Sequence, residues 1–246
     1  MTAMKKICKL SIASAVVLAS SLSFQSCTSE TPFSTGGEGL VKMNVVVNSR
    51  TTRSVLDSDY GEELKRNCRI YISNDKGVLH KWVGIKNVPN SGVSMRYGAY
   101  VAEGFAGDSV TASFDHVYFK GATEFTVGRD VSVTQVNLKC NIANVVASID
   151  QSTINDLHIS DLKVVIGNSK GNLTYYGEDL FKKGYFMMPE DDTTLSYTIT
   201  CKDLEGKDIT KEDSILNVKP AYEYHLKFQY DPDEIADGGA HIVIKV

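Results

Sequence analysis

Cys27 is the residue whose type and position point most directly to chemistry. It follows Phe24-Gln25-Ser26 at the end of a basic, then apolar, N-terminus. Lys5, Lys6 and Lys9 make the basic part. The apolar and small-residue run from Leu10 to Phe24 lacks the roughly 20 strongly apolar residues of a spanning helix, and the whole reads as a secretory signal peptide. A small residue directly before a cysteine ends lipoprotein signal peptides, although Phe24 stands where Leu is usual and Gln25 where a small residue is usual. Cys27 is therefore expected to become the lipid-modified N-terminus of the mature chain, an anchor in the outer membrane.

The other reactive residue types form no recognisable site. The five histidines are His80, His116, His158, His225 and His241. No two stand at a metal-ligand spacing such as H-x-x-x-H, and His225 and His241 fall on polar faces of predicted strands, where solvated side chains are expected. There is no nucleophile elbow, phosphate-binding loop or dinucleotide fingerprint, and Ser, His and Asp do not stand in a catalytic arrangement. No catalytic residue, metal site or cofactor is expected. The acidic stretch from Asp231 to Asp237 offers hard oxygen ligands for calcium but lacks the ligand positions of an EF-hand loop, so a solvated loop is the preferred reading.

Of the five cysteines, Cys8 leaves with the signal peptide and Cys27 would carry lipid. Cys68, Cys140 and Cys201 remain, an odd number far from any zinc spacing. Buried free thiols are the default. One disulfide among the three suits an oxidising compartment, but the sequence does not choose a pair. Trp82 is the only tryptophan, beside 12 Tyr and 9 Phe. A glycan-binding surface would need some of these rings exposed.

The elements that must position these residues are strands. The chain has 246 residues, 42% hydrophobic and 23% charged, with a net charge of -4. That balance offers neither an electrostatic footprint for nucleic acid nor a polybasic patch for anionic lipid. Thr28 to Gly39 is a polar tether. From Leu40 the pattern turns to period two: Val41, Met43, Val45 and Val47 share one face, with Lys42, Asn44 and Asn48 opposite, as in a half-buried strand. Ser49 to Lys65 is polar and reads as a long loop with at most one helical turn near Glu62 to Arg66.

Further strands recur at short intervals. Cys68 to Ile72 and Val78 to Val83 flank Asn74-Asp75-Lys76-Gly77, a tight-turn sequence. Tyr97 to Phe105 and Ser109 to Phe114 are expected to pair around Ala106-Gly107-Asp108. Glu124 to Val127, Val131 to Lys139 and Ile142 to Ile149 follow. Asp161 to Gly167 and Leu173 to Tyr176 flank the turn Asn168 to Gly171, and Leu195 to Cys201 precedes another turn. In Tyr222 to Tyr230 the residues Tyr222, Tyr224, Leu226, Phe228 and Tyr230 are expected to face a core, with Glu223, His225, Lys227 and Gln229 opposite. Ile242 to Val246 closes the chain.

Many short strands about ten residues apart, frequent Gly and Asn/Asp turns and almost no helical periodicity imply an all-β protein of antiparallel sandwiches. After processing, about 220 residues suit two of them. The expected organisation is a signal peptide at 1–26, a tether at 27–39, one sandwich at 40–140 and a second at 141–246.

Several runs together carry a family resemblance: Tyr97-Gly-Ala-Tyr-Val-Ala-Glu-Gly104, then Val110-Thr-Ala-Ser-Phe-Asp-His-Val-Tyr-Phe-Lys-Gly121, Glu124-Phe-Thr-Val127, Val136-Asn-Leu-Lys-Cys-Asn-Ile-Ala-Asn-Val-Val146 and Val218-Lys-Pro-Ala-Tyr-Glu-Tyr-His-Leu226. In this order they resemble the fimbrillin-like cell-adhesion lipoproteins of Bacteroides type. The resemblance implies two transthyretin-like antiparallel β-sandwich domains and a role in adhesion or pilus assembly at the cell surface. It also implies cleavage after an Arg beyond the first strand, making Arg50 and Arg53 the candidate processing points. The vacated groove would then accept a strand from another pilus subunit, a strand-addition mode of recognition. A lipid-anchored module binding host or bacterial surface glycans is the alternative.

Overall fold

A computed structural model describes residues 37–54, 58–150, 152, 154, 159–230 and 242–245. Cys27, His158, His241 and the Asp231 to Asp237 stretch lie outside them. The protein is all-β, with 59% of the described residues in strands and 9% in helix, and its sheets form a sandwich-like arrangement.

In the first half the chain forms β1 (Glu38–Asn48), α1 (Ser58–Asn67), β2 (Arg69–Asn74), β3 (Gly77–Val83), β4 (Val93–Arg96), β5 (Gly98–Gly107), β6 (Ala112–Ser113), β7 (Tyr118–Val127) and β8 (Val133–Ile142). All but β6 of these strands join one seven-stranded sheet in the order β3-β2-β5-β7-β8-β1-β4. The second half adds β9 (Val145–Ile149), β10 (Ser160–Asn168), β11 (Gly171–Tyr176), β12 (Gly184–Phe186), β13 (Leu195–Lys202), β14 (Asp208–Ile215), β15 (Glu223–Tyr230) and β16 (Ile242–Lys245). These form a four-stranded sheet, β11-β10-β13-β14, and a five-stranded sheet, β16-β15-β9-β12-β6.

Alternation explains the cores. Ile70 and Ile72 of β2, Ala102 and Ala106 of β5, Phe119 of β7 and Leu138 and Ile142 of β8 point into one hydrophobic cluster. Val164 and Ile166, Ile199, Leu226 and Phe228 point into another, around Tyr175 and Phe186. Burying a large aliphatic or aromatic side chain is worth about 1.5–3 kcal/mol. Val146 and Tyr185 come from second-half strands yet pack into the first cluster, which couples the two cores.

Local turn chemistry places the hairpins where the sequence put them. Asn74 Oδ1 accepts the Lys76 N–H at 2.9 Å between β2 and β3, and Asn168 Oδ1 accepts the Lys170 N–H at 2.8 Å between β10 and β11. An Asn side chain bonding two residues ahead mimics a backbone turn.

Three expectations are corrected. The Ser49 to Lys65 loop ends in a ten-residue helix, α1, anchored by the buried Leu64. Ser109 to Phe114 does not pair with Tyr97 to Phe105: β5 pairs with β2 and β7, whereas β6 pairs with β12 of the other half. The strand expected from Ile142 to Ile149 is broken at Ala143-Asn144, between β8 and β9. Asn144 is fully buried at this break. Its Oδ1 accepts the Tyr118 N–H at 2.7 Å, and its carbonyl accepts the Ala221 N–H at 2.9 Å.

Candidate functional site

The first strand and the segment that follows it form the most distinctive polar arrangement in the molecule. β1 lies between β8, with which it runs parallel from Leu40↔Val133 to Asn48↔Asn141, and β4, with which it is antiparallel from Glu38↔Arg96 to Val41↔Val93. Val41 and Val45 are buried, while Met43 and Val47 pack at the margin of the first core. On the other face the Asn44 Nδ2 donates to Asn137 Oδ1 at 3.3 Å, and Asn48 Nδ2 to Asn141 Oδ1 at 3.0 Å. The turn into β4 approaches β1 closely. Gly92, with φ 88°, would place a Cβ 2.7 Å from the Val41 carbonyl oxygen, so only glycine suits both the backbone and the space.

Beyond β1 the chain turns against the start of β15. Thr51 Oγ1 accepts the Ser54 N–H at 2.9 Å and donates to Glu223 Oε2 at 2.8 Å. Ser54 Oγ donates to the same oxygen at 2.7 Å. The Thr52 N–H donates to the Ala221 carbonyl at 3.1 Å, and the Glu223 N–H donates to Thr52 Oγ1 at 3.1 Å. Lys183, just before β12, completes the cluster. Its ammonium lies 2.9 Å from Glu223 Oε1 and 2.6 Å from Ser54 Oγ.

Glu223 is thus a carboxylate with a side chain 1% exposed, held by two hydroxyls and an ammonium. Burial is the largest single influence on its titration and opposes the charge. The hydrogen bonds from Ser54, Lys183 and Thr51 together outweigh it and hold the carboxyl below the usual range. Such charge-assisted bonds are about twice as strong as neutral ones. His225 Nε2 lies 3.3 Å from Glu223 Oε1 without hydrogen-bond geometry. Burial first, then the neighbouring Arg53 and Lys183 charges, lower the His225 pKa, partly countered by Glu223 and Asp150. The cluster contains no polarised scissile group. What it does is fasten residues 51–54 to the second half of the chain.

The expected site residues are placed as follows. Arg50 and Arg53 are both exposed, and they bracket the fastened Thr51 and Thr52. Cys27 lies outside the described residues. His225, expected to be solvated, is instead partly buried beside Glu223, and the alternation that placed Glu223 on a wet face is also corrected. Tyr222, expected in the core, is 45% exposed. Trp82 is partly buried against the first core and stacked on His80 at 5.4 Å. Among the described residues, no group of three or more His, Cys, Asp or Glu could hold a metal ion, and no helix is long and apolar enough to cross a membrane. Sequence reasoning missed Glu223, Lys183 and Asn144. The only signal for Asn144 was its place in the Val136 to Val146 run.

An all-β fold with a first strand running parallel to the last strand of its sheet's core defines the class. A family model described as a domain of unknown function, DUF4493, matches residues 37–246, and the chain belongs to that family. Among solved structures, a fimbrial assembly protein from Parabacteroides distasonis matches with a TM-score of 0.50 at 12% identity, over 85% of this chain and 100% of that one. A "putative adhesin" from Bacteroides ovatus matches with a TM-score of 0.44 at 10% identity, over 85% of this chain and 93% of that one. No protein of curated function matches the sequence. The all-β fold expected from the motif resemblance agrees with the fold of the fimbrial assembly protein.

Proposed function

We propose that the protein is a non-catalytic, surface-exposed adhesion subunit of fimbrillin type, anchored through lipid on Cys27, whose first strand is exchanged for a strand of another subunit after cleavage at Arg50. The observation that carries this reading is the division of labour around β1. The strand fills a groove between β8 and β4, and it joins the body through an exposed arginine followed at once by the Glu223 fastening. A cut after Arg50 leaves Thr51, Thr52 and Ser54 with the body, so β1 is held by its own ladder and side chains alone. A cut after Arg53 leaves Thr51 and Thr52 on the β1 fragment, still bonded to Glu223 and Ala221. Arg50 is therefore the productive point and Arg53 the unproductive one. Arg50 itself is exposed, and exposed polar segments are where proteolysis concentrates.

The test is digestion of the folded full chain with an Arg-specific protease, followed by intact mass and size analysis. Cleavage after Arg50 with loss of the β1 fragment and growth of high-mass assemblies supports the reading. A chain that stays uncut in this segment, or that is cut and keeps β1 without assembling, removes it.

A second reading, a glycan-binding module, draws on one observation. A cleft of about 570 Å³ between the β2–β3 turn and β4–β5 is lined by Asp75, Lys76, His80, Arg96 and Tyr97. Polar groups beside a ring are what a sugar needs, and a glycan array without binding above background would dismiss it.

A further inference from the structure

Two of the three thiols in the described residues meet. Cys68, immediately before β2, and Cys140, in β8, are both fully buried and belong to the same core, whereas Cys201 belongs to the other one. Their neighbourhood is shared. Gly104 of β5 pairs with Ile70, two residues from Cys68, and a Cβ on Gly104 would fall 2.5 Å from Cys140 Sγ. The absent side chain at Gly104 is what gives Cys140 its room. The Phe105 backbone and the Cys140 thiol both lie within reach of the Cys68 sulfur. That proximity lowers the Cys68 thiol and, together with burial, pushes Cys140 above its ordinary range.

We propose that Cys68 and Cys140 are a disulfide-forming pair that crosslinks β8 to the start of β2 through the first core when the chain folds in the presence of a disulfide oxidant. The chemistry is thiol–disulfide exchange. One thiol loses its proton and attacks an external disulfide, protein or small-molecule, forming a mixed disulfide and releasing one thiol. The second thiolate displaces the other half. The chain loses two protons and two electrons, and the external disulfide becomes two thiols. Because both sulfurs are buried in the folded protein, the exchange takes place while the strands are still associating. Cys201 stays a thiol, since its strand belongs to the other core, away from both partners.

The crosslink closes a loop of about 70 residues, long enough to restrict the unfolded chain substantially. It also ties β8, the strand whose edge β1 covers, to the start of β2 within the same core.

The experiment is to refold the reduced, denatured full chain in a mixture of oxidised and reduced glutathione. Free thiols are then alkylated under denaturing conditions without reductant, and the peptides are mapped by mass. The expected result is a linked peptide pair containing Cys68 and Cys140, about 2 Da lighter than the two reduced peptides, with Cys201 alkylated. The Cys201→Ser variant should give the same linkage. The oxidised form should melt roughly 5–10 °C above the reduced form. Alkylation of both Cys68 and Cys140 after refolding, or a linkage that involves Cys201, overturns the proposal. Both overturning outcomes are read on the unsubstituted chain, so a Cys201→Ser variant that fails to fold cannot obscure the answer.

Discussion

β1 and β9 occupy equivalent places in the two halves of the molecule and are built in opposite ways. Each runs parallel to a late strand of its own half, β8 for β1 and β15 for β9. β9 is five residues long and every one of them is buried. It lies in the middle of its sheet, between β15 and β12. β1 is eleven residues long, alternates between buried and open positions, and leaves Val46 45% exposed. Its long ladder with β8 supplies hydrogen bonds, but only one face contributes to the core. A strand buried on both faces cannot leave without collapsing what surrounds it. A strand buried on one face can be replaced by another of the same pattern, because register depends on period-two alternation alone. Under the proposed function, β1 is the strand expected to exchange and β9 the strand expected to stay.

The sharpest way to break that contrast is to put a charge into each strand. Val146→Asp places an unpaired carboxylate at a fully buried position of β9, at a cost of about 3–5 kcal/mol or more, and the chain is expected to lose its cooperative melt. Val46→Asp on the open face of β1 should change stability by no more than about 0.5 kcal/mol. Equal losses in thermal melts would abolish the distinction.

The next effect falls on the fastening. Glu223→Ala leaves Lys183 and two hydroxyls without their acceptor, and about 2–3 kcal/mol should be lost in denaturant titrations. Cleavage after Arg53 should quicken in parallel, since Thr51 and Ser54 are no longer tied down. Val45→Ala, by contrast, trims one buried methyl pair from β1 and should cost roughly 1–2 kcal/mol, with release of the cut β1 fragment becoming faster.

Acid should act on the same fastening. The Glu223 carboxyl titrates below its unfolded value, so its stabilisation is present above the ordinary carboxylate range and is lost as pH falls through the lowered folded pKa. His225 is also lowered, so the unfolded chain takes up its proton first, and this too favours unfolding as pH drops below the ordinary histidine value. Both signs agree. Protection of the Ser54 amide against hydrogen exchange, taken relative to its intrinsic rate at each pH, should fall on acidification, and a Glu223→Gln variant should lose the part of that dependence in the carboxylate range. The smallest effect belongs to Asn48→Ala, which removes one exposed cross-strand bond to Asn141 and should cost a few tenths of a kcal/mol.

What was legible in the sequence was local. The alternation of Val41, Met43, Val45 and Val47 gave β1 its inward face, and the Asn-initiated turns at Asn74 and Asn168 gave two hairpins. What was not legible depended on partners distant in the chain. Glu223 and His225 alternate with aromatic residues as a solvated face would, and only the arrival of residues 51–54 and Lys183 covers them. β6 pairs with β12 over a separation that no local pattern encodes. α1 was underread because Leu64 is the one core residue among the described side chains of the helix, too little to show a helical period. The residues that fasten the candidate site come from three separate places in the chain, and only Glu223 lies within a run that carries the family resemblance.

The direction in which β1 runs has a mechanical meaning. Tension applied at Glu38 along the strand, with the body held through the C-terminal end of β8, meets a neighbour pointing the same way. The ladder from Leu40 to Asn48 is then loaded in shear, all its bonds sharing the force at once, whereas two antiparallel strands pulled from their open end unzip one bond at a time. A protein held by this strand resists being dragged off, and once one peptide bond beyond Asn48 is severed the whole load passes to that ladder and the β1 side chains.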